Sequence, residues 1–257
     1  MAPVVIEFSA TAIALLLVAA FCAGWIDAVA GGGGLIQLPA LLLVFPHAAT
    51  LTAMGTNKTS SIIGTSVAVR TYTKAHQPDW RLARRIMAVA FVSAGMGTFT
   101  ATRVSTEFLR PAIVVVLAGV WLFTILRRPV LDREVFAAAH HANALMIAGV
   151  VGFYDGLIGP GTGSFLLIGF VSFVGLSFLG ASVAAKLANW STNLASIMVF
   201  VATGHILVWL GLSMGAANAL GGGLGARMAI ARGSAFVRIV FLCSTGALLL
   251  KLGWSLL

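Results

Sequence analysis

The sequence predicts an all-α fold: a polytopic membrane helical bundle of eight to ten segments, built as two repeats with short broken or re-entrant helices. Three observations carry that expectation. First, only 9% of the 257 residues are charged and 60% are hydrophobic, against about 25% charged in soluble domains; mean hydropathy is +1.03. Second, the chain divides into long apolar runs separated by short polar stretches, the mark of membrane spans. Third, those runs recur. At an offset of 128 residues Asp27 meets Asp155, Lys58 meets Lys186, Gly31 meets Gly159 and Gly97 meets Gly225. Glycine matches are cheap in a chain with 29 glycines, but matching two rare intramembrane charges is not. The repeats are therefore set at residues 1–128 and 129–257.

The first repeat reads as apolar segments at 8–30, 34–46, 50–70, 86–102 and 108–126, and the second as segments at 137–158, 162–175, 178–202, 207–226 and 236–256. The first run lacks a basic leader and is too long for a signal-peptide core, so it is read as a span. The second segment of each repeat is short and follows a glycine break, Gly31 to Gly34 in one and Gly159-Pro160-Gly161-Thr162-Gly163 in the other.

Charge sets the orientation. Of sixteen Lys and Arg residues, eleven fall in three stretches: Arg70, Lys74, Arg81, Arg84 and Arg85; Arg127, Arg128 and Arg133; Arg227, Arg232 and Arg238. Short basic loops stay in the cytoplasm, so the net charge of +9 is assigned to topology and not to nucleic acid. The counterpart of the 70–85 stretch, near His205, holds no Lys or Arg. The basic loop thus changes place between repeats, which favours inversion and five crossings per repeat. Re-entrant short segments would instead leave four crossings and parallel repeats.

Three features carry chemistry. Asp27 and Asp155 each end the first segment of a repeat, beside the glycine break. A charged side chain at mid-membrane costs about 2.5–3.5 kcal/mol even on insertion scales, so it persists where it is paired, protonated or facing water. The two aspartates are candidates for a coupling proton or sodium; capping of a broken helix is the structural alternative. Lys58 follows Asn57, while Lys186 shares a helix face with Asn189 and Asn193. A point charge with amide donors suits a small anionic substrate; neutralising the aspartates is the structural alternative. Irregular backbone at membrane depth must be buried or line a watery cavity, and helix starts after such breaks attract anions, which adds Gly33, Gly34, Gly161 and Thr162 to the candidate site. The five histidines form no metal-binding motif, and Cys22 and Cys243 form no CxxC pair. No cofactor and no metal are expected.

These residues resemble a known family. Gly24-Trp25-Ile26-Asp27 through Gly31–Gly34 to Pro39, then Gly55-Thr56-Asn57-Lys58, is similar to the first half of the TauE/SafE sulfite exporter family. So are Gly152-Phe153-Tyr154-Asp155 through Phe165, Gly204-His205, and the run from Gly225 to Arg238. Ala188 departs from the pattern, since many members carry an Asn there. The resemblance implies no enzyme, but a multi-pass secondary transporter of the cytoplasmic membrane, an exporter of sulfite, sulfonates or other small organic anions. An anion channel with the same site is the alternative. An intramembrane aspartyl protease is a third reading, against which Gly24-Trp25-Ile26-Asp27 lacks the Gly-x-Gly-Asp pattern.

Overall fold

The fold is known from a computed structural model, which describes residues 9–45, 50–104 and 141–254. Among the described residues there are eight helices and no strand. They are α1 (Ala10–Ala30), α2 (Gly34–Val44), α3 (Thr50–Ala75), α4 (Trp80–Ala101), α5 (His141–Leu157), α6 (Thr162–Gly169), α7 (Phe178–Ala202) and α8 (Val208–Trp254). A π-helical turn, Phe170–Val174, continues α6. The segment expected at 108–126 and the basic stretch at 127–133 lie outside the described residues.

Local chemistry sets the helix ends. Ser9 caps α1 by accepting from the Ala12 N–H, and Gly31 stops it in the left-handed conformation at φ 79°. Asp79 caps α4 and Ser177 caps α7, each replacing a backbone acceptor that the first turn lacks. α1 and α4 are long and apolar enough to cross a membrane. α3 and α7, at 26 and 25 residues, are long enough too. Their buried faces carry Thr56, Asn57, Lys58 and Ser60, and Lys186, Asn189, Thr192 and Asn193, which lowers their average hydropathy.

Two boundaries differ from the sequence reading. α4 starts at Trp80 instead of residue 86, and the segment expected to end at 226 stays helical to Arg232, where Gly233 (φ 72°, ψ −167°) separates it from the helix expected at 236–256. In both places the chain stays helical through Arg-rich turns. Arginine is a good helix former, and Arg81, Arg84, Arg85, Arg227 and Arg232 are exposed. A fall in hydropathy marks the edge of the apolar zone and not the end of the helix.

Close contacts fix the relative directions of the helices. α8 runs alongside α3 in the same sense: Gly211 lies against Thr59, Gly215 against Ile63 and Gly223 against Val67. It also runs parallel to α1, with Gly221 at Phe21 and Gly225 at Trp25. α5 is parallel to α4, with Gly149 at Val89, Gly152 at Ala90 and Gly156 at Ala94. α3 is antiparallel to α7: Gly55 lies against Phe200, Trp190 Nε1 donates to Ser66 Oγ at 2.9 Å, and Gly180 lies against His76. α4 begins beside the start of α7, and Thr98 Oγ1 donates to Ser196 Oγ at 2.9 Å further on, so these two are parallel. α1, α3 and the first part of α8 therefore run one way; α4, α5 and α7 run the other.

The two short helices fold back along their predecessors. Asn143 Nδ2 donates to Phe173 O at 3.0 Å and Gly169 lies against Ile147, so α6 retraces α5. Leu38 and Leu41 share an apolar cluster with Leu16 and Ala20, so α2 retraces α1. Eleven residues of α2 rise about 16 Å, half of an apolar core about 30 Å thick. By Met54 the chain is again in the cluster of Leu16, at the end where α1 begins. A second apolar cluster, including Tyr72, Leu82, Ile86, Leu166 and Phe170, fills the other end.

Candidate functional site

The two glycine breaks meet between these clusters. Gly159 and Gly161 have φ 96° and 85°, a region that side chains with a Cβ rarely adopt. Ser164 N donates to Gly31 O at 3.2 Å, and Ser164 Oγ donates to Ala30 O. A Cβ on Gly31 would sit 2.2 Å from the Gly163 carbonyl carbon, so backbone touches backbone at this crossing.

The breaks carry each aspartate to a lysine from the other half of the chain. Lys58 Nζ donates to Asp155 Oδ2 at 2.6 Å. Thr162 Oγ1 donates to Asp155 Oδ1 at 2.6 Å and also lies 2.6 Å from Gly159 O. Lys186 Nζ donates to Asp27 Oδ2 at 2.9 Å and to Asp27 O. Asp155, Lys58 and Lys186 are buried. Buried charges are stable only when paired and hydrogen-bonded, and these two pairs meet that demand.

A small polar cavity lies among them, with room for about one water molecule. Of the residues singled out in the sequence, Asp27, Gly34, Asn57, Lys58, Asp155, Gly161, Thr162, Asn189 and Asn193 line it. Lys186 stands behind Asp27, and Gly33 packs away from the cavity, where a Cβ would be 2.6 Å from Asp27 Cβ. Two lining amides retain unpaired buried atoms, Asn57 Oδ1 and Asn193 Nδ2. An unmade buried hydrogen bond costs about 1–3 kcal/mol, so both atoms are poised for a polar ligand. Lys58, the Asn193 amide and the first turns of α2 and α6 offer positive and donor groups to a small oxyanion.

The sulfite exporter TauE/SafE family matches residues 16–252. The chain belongs to that family. It is 33% identical to the "Probable membrane transporter protein ORF9" of Sinorhizobium sp, over 93% of this chain and 92% of that one. Identity is 30% to a "Probable membrane transporter protein" of Haemophilus influenzae, over 94% and 96% of the two chains. It is 29% to the "Probable membrane transporter protein YfcA" of Escherichia coli, over 93% and 88%. No solved structure matches. These TauE/SafE relatives are named as membrane transporters, so this chain too is a membrane transporter and not an enzyme.

Ser61 also lines the cavity of this TauE/SafE protein and was not picked out from sequence. It lies four residues after Asn57 on α3, hence on the same face, and that spacing is the signal that would have found it. Ser60 Oγ, next to it, is buried without a partner.

Proposed function

We propose that this protein is a multi-pass secondary transporter of the cytoplasmic membrane. It moves small sulfur-containing or organic anions, such as sulfite or sulfonates, outward through a site between two inverted repeats. The observation that carries this reading is the exchange of ion pairs across one polar cavity: Lys58 with Asp155, and Lys186 with Asp27. Each contact is the other shifted by 128 residues. The same shift relates Gly97 against Phe153 O to Gly225 against Trp25 O, and Gly152 against Ala90 to Gly24 against Asn218. Corresponding helices run oppositely, α1 against α5, α3 against α7 and α4 against α8, which supports inversion. Inverted repeats with broken helices meeting at mid-depth are how many secondary transporters alternate access.

The anion displaces a carboxylate from a lysine and is held by Asn57, Asn189, Asn193, Gly34 and Gly161 with the Thr162 hydroxyl. Two apolar clusters pack the helices around the site, and rocking one repeat against the other would open the site to each end in turn. An anion channel with the same site needs a continuous path with weak, multiple sites, and it is distinguished by how flux depends on concentration and gradient. A protease dyad needs two carboxylates sharing a proton, whereas each aspartate here is bound to a lysine. The test is sulfite, sulfonate and carboxylate uptake by proteoliposomes, with and without a pH gradient. Saturable, gradient-dependent flux of a sulfur oxyanion supports the reading; flux that rises linearly with concentration and ignores the gradient favours a channel.

A further inference from the structure

The two ion pairs are equivalent by position but not by environment. Asp155 has both oxygens engaged, Oδ2 by Lys58 and Oδ1 by Thr162, and its side chain is 2% exposed. Asp27 uses only Oδ2, on Lys186, and its side chain is 16% exposed. The difference has a cause in the sequence. Shifted by 128 residues, Thr162 becomes Gly34, which has no hydroxyl to give. Asp27 Oδ1 is thereby left to the cavity.

The geometry points to Asp27, and not Asp155, as the group that takes up one proton for each anion bound. This rests on the anion-transport reading above. With both pairs intact the four charges cancel. Lys186 is screened from the cavity by the Asp27 carboxylate, which repels an entering anion. A proton from cavity water bonds to Asp27 Oδ1 and removes that negative charge. Lys186 keeps its own proton, so one positive charge is left uncompensated, and a monoanion cancels it. Release reverses the sequence: the anion leaves, Asp27 returns its proton to water, and the Lys186 pair re-forms. The groups that face Asp27 are consistent with this role. α7 supplies Lys186, and α3 supplies Lys58 across the cavity and Tyr72, whose hydroxyl donates to Ala28 O at 2.8 Å. α5 supplies Asp155, α2 has no ionisable residue, and Arg227 of α8 is exposed. Thr162 is then a positioning residue that holds the other pair shut.

The experiment compares the two carboxyls in the full-length purified protein. A hydrophobic carbodiimide modifies protonated carboxyl groups in apolar surroundings, and mass spectrometry locates the adducts. Asp27 is expected to label on the order of tenfold faster than Asp155, the scale of one charge-assisted hydrogen bond, and more slowly as pH rises. Gly34→Thr supplies the missing hydroxyl. A Cβ there would lie 3.5 Å from Pro160 Cα and 3.8 Å from Asn57 Nδ2, ordinary contact distances, and the variant should bring Asp27 labelling down toward that of Asp155. In proteoliposomes Asp27→Asn should lose sulfite accumulation driven by a pH gradient. Equal labelling of the two aspartates, or gradient-driven accumulation surviving in Asp27→Asn, would overturn the assignment. Faster Asp27 labelling in a protein that moves no sulfite would sink the substrate reading and still support Asp27 as the protonating carboxyl.

Discussion

Removing Lys58 has two consequences that a double variant separates. Lys58→Ala takes the cation from the cavity and also leaves Asp155 buried with only Thr162 as partner. Breaking one side of a buried pair costs about 3–5 kcal/mol, so lost flux alone would be ambiguous. Lys58→Met combined with Asp155→Asn removes both charges and leaves an amide that Thr162 can still reach. Thermal unfolding followed by fluorescence should show a large drop for Lys58→Ala and recovery of most of it in the double variant. Anion flux should be absent from both. Flux restored with stability would mean that the lysine only holds the halves together. At this scale the site was largely legible: a charge that membrane burial makes costly announces itself in an apolar sequence, and Asp27, Lys58, Asp155 and Lys186 were all visible that way. The direction of side chains was not. Gly33 and Gly34 are adjacent glycines, and only the path of α2 decides that Gly34 faces the cavity and Gly33 faces Asp27 Cβ. The sequence likewise suggested Lys186 as a direct anion contact, whereas in the structure Asp27 stands between it and the cavity.

Elements are held together by backbone approaching backbone. A Cβ on Gly225 would lie 2.4 Å from Trp25 O, and one on Gly97 would lie 2.1 Å from Phe153 O. Carbonyl groups in packed helices cannot move aside as a flexible side chain would, so Val at either position must push α8 from α1, or α4 from α5. Overpacking typically costs about 1–3 kcal/mol, and these contacts fall at the upper end because the obstacle is main chain. Gly97→Val and Gly225→Val should therefore lower the melting temperature to a similar extent. Gly204→Ala offers a contrast. No atom lies within 4 Å of its Cβ position, and its cost comes only from φ 71°, about 1 kcal/mol. Unequal losses at Gly97 and Gly225 would argue against equivalent α4–α5 and α8–α1 contacts. Periodicity found the helices here but not their joins. The break at Gly233 falls in the basic gap between two apolar segments, but hydropathy did not show that the first of them stays helical as far as Arg232.

Taken whole, the described helices imply a side for the α3–α4 and α7–α8 turns. α3 and α7 are antiparallel, so the turn joining α3 to α4 and the turn joining α7 to α8 lie at opposite ends. The first end gathers Arg70, Lys74, Arg81, Arg84 and Arg85, with Arg227 and Arg232 of α8 brought there by its parallel run beside α3. Seven cations at one end satisfy the positive-inside rule only if that end faces the cytoplasm. The opposite turn holds Thr203, Gly204 and His205 and no cation. Parallel repeats would instead put the two equivalent turns on the same side. The distinction is measurable with single cysteines at Gln77 and Thr203, both exposed, after Cys22 and Cys243 are changed to Ser. In intact cells a membrane-impermeant maleimide should label Thr203→Cys and spare Gln77→Cys until the membrane is opened. Labelling of both from outside, or of neither, would put the turns on one side. The pseudo-symmetric exchange of Lys–Asp pairs would then have to arise without inversion, and the alternating-access mechanism built on it would fail with it.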